Sequence, residues 1–467
     1  KFHISLGLIG SLLIIVILMT GIVKAVSSID FKFFLSIAGD DLKTDSYGHT
    51  NFLILGTGGK NHEGADLTDT MIVASLDDTD KLVTMISIPR DIYVQDKVVG
   101  NSKINEVYYN SEKYYGNSTE GLDHVKNKIE EIMGIPIHYW VKIDFDGFKE
   151  LIDALEGIDI LVKDPIYDPY YPKDGTFLYE TFNIAAGQQH MDGELALKYA
   201  RSRKTTSDFD RADRQQQIIF AIKEKALQTE TVLSADRITE ILDTLKKNIE
   251  TNITVKEILT LGSLGADYSS DKILHRLIHD DPTQCGGFLY TPEREYYGGM
   301  FVLIPAGGFE FIHLYSDLNF NLPKIATEKS RIQILNGTKK GGVAGETKQI
   351  LKRFCFDVVR FGNAPTQDLT RTTYYYLNTR PKTLNFLQKI IPGKENTNVP
   401  QKYLEAGYFD QADIIMELGS DYVNSDKYIK DPFYYLPAPK AATDETTEAP
   451  TTPETATPTS TPSTPTT

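Results

Sequence analysis

The sequence predicts an α/β fold: a mostly parallel central sheet flanked by helices, followed by a smaller C-terminal α/β domain. Three observations carry this expectation. Short apolar runs are bounded by Gly, Asp or Pro, as strands are. Between them, apolar residues recur at helical spacing. The two patterns alternate, which favours parallel strands covered by helices on both faces.

Residues 51–55 (NFLIL), 71–76 (MIVASL) and 82–88 (LVTMISI) read as the first strands. Leu122, Val125, Ile129 and Ile132 then mark a helix between a Ser118/Thr119 cap and Gly134. Phe148, Leu151, Ile152 and Leu155 repeat the pattern before Gly157, and residues 158–162 return as a strand. Ligands of such sheets sit at the carboxyl ends of the strands, so the loops to watch follow Leu55, Ile88 and Val162. A second unit, separate in pattern, starts near Ser330. RIQILNGT reads as strand and turn, 346–354 as helix, and 356–361 and 372–377 as strands. Residues 266–327 carry no assignable pattern.

The ends differ in kind. Residues 4–23 hold no charge over twenty positions. That is long enough to cross a bilayer, and no clean cleavage site follows, so an uncleaved anchor over 1–27 is expected. From 438 to 467, 12 of 30 residues are Thr and 6 are Pro, a composition that cannot build a core. The tail from 437 onward is therefore expected to be disordered, as a spacer or a glycosylated stalk, and either suits an extracytoplasmic location.

The 467 residues give room for two or three domains. A net charge of −15 argues against nucleic acid as a partner, since phosphate backbones require a basic surface. Two cysteines, Cys285 and Cys355, exclude a disulfide scaffold and a Cys-built metal cluster. They read as two unrelated buried thiols. No G-x-S-x-G or H-E-x-x-H is present, so serine hydrolase and zincin chemistry have no support.

Three elements remain that suit chemistry. The first is YARSRKTTSDFDRADRQQ, residues 199–216. Arg201 and Arg203 are two apart and share a side if extended. Arg211, Arg214 and Gln215 fall on one helical face. Four guanidiniums and Lys204 make an anion site, because the planar fork of Arg binds phosphate oxygens in pairs. With Asp208, Asp210 and Asp213 interleaved, the same run also reads as a salt-bridged surface. The second is SIPRD, residues 87–91, at the end of a strand. Arg90 and Asp91 either meet a ligand there or form an ordinary turn cap with Arg90 exposed. Lys103, in NSKIN, reads alone as a surface lysine. The third is the loop GTGGKNHEGADLTDT, residues 56–70. It is neither a P-loop nor a dinucleotide fingerprint. It supplies His62, Asp66 and Asp69, and hard carboxylate oxygens suit Mg²⁺.

Taken together, NFLILG, LTDTMIVASL, SIPRD, KIN and YARSR…DFDRADRQQ resemble the LytR-CpsA-Psr family of cell-envelope phosphotransferases, over about residues 47–227. A catalytic domain over 47–327 follows from that resemblance. The segment SRIQILNGTKKGGVAGETKQILKRF and its continuation resemble the C-terminal domain often attached to that family, here 328–422. The resemblance implies transfer of a glycopolymer, with one phosphate, from a polyprenyl-pyrophosphate carrier to a peptidoglycan hydroxyl. It also implies Mg²⁺ and a single-pass protein of the cell membrane with its catalytic domain outside. Arg90, Lys103, Arg201, Arg203, Arg211, Arg214 and Gln215 would then hold the pyrophosphate. Asp69 would hold the metal, and Asp91 would orient Arg90. Two departures stand out: Gly58 replaces an Asp after the first strand, and Asp66-Leu67-Thr68 replaces an Arg-containing stretch. His62 or Asp66 is therefore expected to complete the metal site. A polyprenyl-pyrophosphate phosphatase and a non-catalytic lipid-binding wall tether are the alternative readings.

Overall fold

A computed structural model describes residues 41–59, 64–173, 178–202, 248–254, 272–426, 428 and 430–435, with single positions or pairs between 214 and 268. The expected anchor and the Thr/Pro tail lie outside the described residues. Among the described residues no helix is long and apolar enough to cross a membrane.

The central sheet contains β1 (His49–Gly56), β2 (Thr70–Asp77), β3 (Leu82–Ser87), β6 (Tyr139–Ile143), β11 (Ile249–Thr251) and β12 (Ile273–Leu277). Its order is β11-β6-β1-β2-β3-β12. β4 (Tyr93–Val94) and β5 (Ser102–Lys103) pair beside it as a short ribbon. The sheet is mixed, which corrects the mostly parallel expectation. β1/β6 and β3/β12 are parallel, whereas β1/β2, β2/β3 and β6/β11 are antiparallel. The reason lies in the connections. A parallel crossover needs a dozen or more residues, usually with a helix. Only 78–81 separate β2 from β3, and Asp77 Oδ1 closes that turn by accepting from Thr79 N and Asp80 N, both at 3.0 Å.

The apolar run of β1 reflects burial on both faces rather than strand direction. Leu53 and Leu55 pack under α1 (Ile104–Tyr115) and α2 (Ser118–Met133). Phe52 and Ile54 pack against Ile253, Leu261 and Tyr268 on the other face. The cap of α2 is Asn117, one residue before the expected pair, with Oδ1 accepting from Thr119 N at 2.8 Å. Gly134 ends α2 at φ +69, a left-handed conformation that costs a side-chain-bearing residue more. α3 (Phe145–Ala154) starts directly after β6 behind an Asp144 cap.

β7 (Ile158–Val162) leaves the central sheet and pairs with β10 (Gly187–Met191), while β8 (Ile166–Pro172) pairs with β9 (Tyr179–Ile184). The strand ending at Val162 therefore does not end at the sheet edge as expected. α4 (Gly193–Arg201) packs on α3, so closely that a Cβ at Gly193 would stand 2.3 Å from Lys149 O.

The C-terminal sheet has order β16-β15-β19-β17-β18. It comprises β15 (Arg331–Asn336), β16 (Asp357–Asn363), β17 (Thr373–Tyr376), β18 (Lys394–Asn396) and β19 (Ile414–Leu418), with α6 (Val343–Arg353) and α7 (Thr383–Ile390). All pairs are parallel except β17/β19. The stretch that carried no pattern holds β13 (Leu289–Tyr290), β14 (Ile304–Pro305) and α5 (Glu310–Ser316). It joins the two units into one apolar core: Ile312, Tyr315 and Leu318 belong to the same cluster as Ile129 and Met133 on one side and Phe354 and Phe386 on the other. Cys285 and Cys355 form a disulfide across this junction, correcting their reading as unrelated thiols.

Candidate functional site

β1, β3 and β6 all end at one edge of the central sheet, where β2 begins, because β1 is parallel to β6 and β3 is antiparallel to β2. Three loops meet there. Ile88 N donates to Met71 O at 2.9 Å, which sets Pro89 and Arg90 just beyond the edge. Ile104 N donates to Ile92 O at 2.8 Å and Thr68 N to Asn105 O at 3.1 Å. The backbone of residues 68–69, 88–92 and 103–105 is thus stitched together before any side chain is considered.

The side chains converge accordingly. Arg90 Nη1 donates to Asp69 Oδ1 at 2.9 Å, and Asn105 Nδ2 approaches the same oxygen at 3.3 Å. Lys103 Nζ donates to Asp91 Oδ1 at 2.7 Å, while Asp91 Oδ2 stands 3.5 Å from Arg90 Nε. All four charged side chains keep only 10–14% of their surface exposed. Two cations and two anions at this depth reinforce one another in a reduced dielectric and hold fixed positions. Lys103 is therefore part of this network rather than a loose surface lysine. Asn105 was passed over in the sequence, although it sits in the KIN motif. Its Oδ1 is buried without a hydrogen-bond partner among the described residues.

Arg201 and Arg214 form a second group at the end of β6. Arg201 does not lie on an extended segment; it closes α4 and is 6% exposed. Its guanidinium lies 4.5 Å from the ring centroid of Phe145 and 5.4 Å from that of Tyr171. Arg214 is 5% exposed. Its Nε donates to Tyr199 O at 3.0 Å and its Nη2 to Ser202 O. These are carbonyls at the end of α4, which lack partners inside the helix. Arg214 thereby fixes the end of the helix that carries Arg201. Ser202 Oγ adds a bond to the buried Asp168 at 2.9 Å. His62, Arg203, Arg211 and Gln215 lie outside the described residues.

The loop after β1 carries Gly58 and Gly59. Gly59 N donates to Ala65 O at 3.0 Å, and a Cβ on Gly59 would meet that of Asp144 at 3.2 Å. Asp66 is half-buried on the same loop. Among the described residues, no three His, Cys, Asp or Glu side chains gather as a metal-binding group. Mg²⁺ does not demand one: it takes one or two carboxylates and completes its shell with water and phosphate. Asp69 and the unpartnered Asn105 Oδ1 supply hard oxygens of that kind.

The family model described as "LytR_cpsA_psr family" matches residues 27–295, more than half of the chain. The chain belongs to that family. A second model, "LytR cell envelope-related transcriptional attenuator", matches 329–422 of this family member. The polyisoprenyl-teichoic acid–peptidoglycan teichoic acid transferase TagV of Bacillus subtilis (strain 168) is 34% identical over 236 residues, which is 49% of this chain and 55% of that protein. The chain thus spans little more than half the length of this relative. The transferase TagU of Bacillus licheniformis is 25% identical over 55% of this chain and 77% of its own. Among solved structures, that of B. subtilis TagV is 28% identical, with 58% of this chain and 97% of that one aligned and a TM-score of 0.43.

Proposed function

We propose that this chain is a membrane-anchored phosphotransferase that moves a glycopolymer from a polyprenyl-pyrophosphate carrier to a peptidoglycan hydroxyl. The observation that carries the reading is the Asp69–Arg90–Asp91–Lys103 network at the sheet edge. The teichoic acid transferases to which the chain is similar support it. The acceptor oxygen attacks the phosphorus that bears the polymer, the bond to the bridging oxygen breaks, and polyprenyl monophosphate leaves. The hydroxyl proton passes to solvent or to a nearby carboxylate. Such a reaction needs in-line positioning and neutralisation of phosphoryl oxygens more than a strong base. Arg90 and Arg201 would supply fixed positive charge, and the family resemblance assigns Arg203, Arg211 and Gln215 to the same diphosphate. Asp91 holds Lys103 and faces Arg90, keeping both cations in place. Asp69, with Asn105 beside it, would hold Mg²⁺, and the metal would neutralise the charge on the diphosphate. Residues 4–23 would place the domain at the outer face of the cell membrane, beside a lipid-linked donor.

The test incubates the chain with a polyprenyl-pyrophosphate oligosaccharide, Mg²⁺ and peptidoglycan fragments, and reads products by mass spectrometry. A phosphodiester-linked sugar–peptidoglycan adduct is expected, and it is lost in Arg90→Ala and Asp69→Ala. Release of free phospho-sugar as the sole product would replace transfer with hydrolysis. Tight donor binding with no product would leave a tether.

A further inference from the structure

The β8–β9 hairpin packs beside Arg201 and has two unlike faces. Its inward residues, Ile166, Asp168, Tyr171, Phe182 and Ile184, are buried. Its outward residues are Tyr167, Tyr170, Tyr179, Thr181 and Asn183, and the three rings are 57%, 54% and 44% exposed. Residues three apart on a regular strand point to opposite faces, so Tyr167 and Tyr170 need a device to share one. A bulge provides it. Asp168 pairs with Phe182 and Tyr171 with Glu180, which leaves Pro169 and Tyr170 opposite Thr181 alone. The extra residue turns Tyr170 outward beside Tyr167 and Tyr171 inward toward Arg201. Pro169 is tolerated there because a bulge needs no ladder N–H from it. Asp168 fixes the bulge: one oxygen accepts from Tyr170 N at 3.1 Å and the other from Ser202 Oγ at 2.9 Å. The carboxylate that sets Tyr170 outward is thus tied to the end of α4 that carries Arg201. Tyr179 meets Tyr170 edge to face, with centroids 6.0 Å apart.

None of the five outward residues is charged, and the nearby Glu180 is turned to Lys198 on α4 at 2.6 Å. Flat rings with a hydroxyl and an amide between them match an uncharged sugar chain. The C–H faces of the sugars lie on the rings, while their hydroxyl and acetamido groups bond to Thr181 and Asn183. Tyrosine supplies this contact area at little cost in side-chain freedom. An anionic lipid surface would instead call for Lys and Arg around the rings.

We propose that the outer face of the β8–β9 hairpin is a glycan platform that holds the neutral sugar chain of the acceptor beside the diphosphate clamp. The inference rests on the transferase reading and adds the residues that hold its acceptor. Phosphoryl transfer needs the attacking hydroxyl in line with the leaving group, and a long chain is oriented best when several of its sugars are held. Tyr167, Tyr170 and Tyr179 are positioning residues and take no part in the bond exchange.

The experiment uses the full chain, with a neutral, peptide-free oligomer of N-acetylglucosamine as the probe. Calorimetry reads its binding, and transfer assays read KM for peptidoglycan fragments and the affinity for the lipid-linked donor. In Tyr167→Ala/Tyr170→Ala and in Tyr179→Ala, oligomer affinity is expected to fall about tenfold and acceptor KM to rise by the same factor, with donor affinity unmoved. Tyr167→Phe/Tyr170→Phe keeps the ring area and most of the binding. Should the alanine chain unfold early, Tyr167→Thr/Tyr170→Thr repeats the test with residues that favour strands. A wild-type chain that does not bind the oligomer, or equal binding by wild type and the double variant, overturns the platform. So does a loss that appears on phosphatidylglycerol vesicles instead, which would make this face a membrane contact. Oligomer binding that depends on the tyrosines without any transfer leaves the platform standing and removes the transferase reading.

Discussion

Arg90 Nη1 donates to Asp69 Oδ1 at 2.9 Å across 21 residues of sequence, with Asn105 Nδ2 directed at the same oxygen. One carboxylate oxygen thus anchors the cation assigned to the diphosphate while belonging to the group assigned to the metal. Replacing it by an amide separates these roles. In Asp69→Asn an oxygen still accepts from Arg90, so stability to urea should fall by no more than about 1–2 kcal/mol. The negative charge is gone, and transfer should slow by about a hundredfold or more. A variant that unfolds early but turns over normally would make Asp69 a purely structural partner.

Arg214 gives the opposite expectation. A buried guanidinium holding two carbonyls at the end of α4 contributes through the fold. Arg214→Ala should lower stability by about 2–4 kcal/mol in denaturant titration, since charged hydrogen bonds are lost and carbonyls are left unsatisfied. Arg214→Lys cannot span both carbonyls and should recover only part. A direct diphosphate ligand would instead weaken donor binding and leave the unfolding midpoint unmoved.

What the sequence disclosed follows from distance along the chain. SIPRD sits at a strand end, where motif and local geometry coincide, so Arg90 and Asp91 were legible as a pair, whereas Lys103 alone read as a surface lysine and its tie to Asp91 needed the fold. The mixed sheet was legible in principle from the four residues between Leu82 and Asp77, too few for a crossover. The rest depended on long-range contact. Nothing local indicates that Arg214 donates to Tyr199 O and Ser202 O, because its helical spacing shows only which face it shares. Nor does spacing reveal that Cys285 meets Cys355. The segment from β13 to β14 was invisible because its elements run two to four residues, too short for any periodicity.

Asp96 makes acid stability a test of the α2 face. Burial works against its ionisation, yet the backbone N–H groups of Val99 and Val98 and the His124 side chain outweigh that cost and hold its pKa down to about 2. A carboxylate lowered from an ordinary 3.8 stabilises the fold fully above that value, and the contribution is lost as pH falls from about 4 through 2. The window is worth about 2 kcal/mol. Urea titrations at pH 5 and pH 2.5 should show a smaller difference for Asp96→Asn than for the wild-type chain. Equal differences would mean that Asp96 titrates alike in the folded and unfolded chains.

Cys285 and Cys355 are 70 residues apart in sequence, and their bond closes the junction between the two sheets. Cross-linking a loop of this length restricts the unfolded chain and should add about 2–4 kcal/mol. The junction has other ties: Gly286 N donates to Arg353 O at 2.8 Å, and Arg353 makes a buried two-pronged pair with Asp431 at 2.7 and 2.8 Å. A Cys285→Ala/Cys355→Ala chain should therefore fold with both sheets intact but unfold at lower urea. Reductant should bring the wild-type midpoint down to that of the double variant and leave the variant unchanged. If reductant does not move the wild-type midpoint, the bond contributes nothing to the stability of the junction, and the Arg353–Asp431 pair and the shared core around Tyr315 hold the two units together without it.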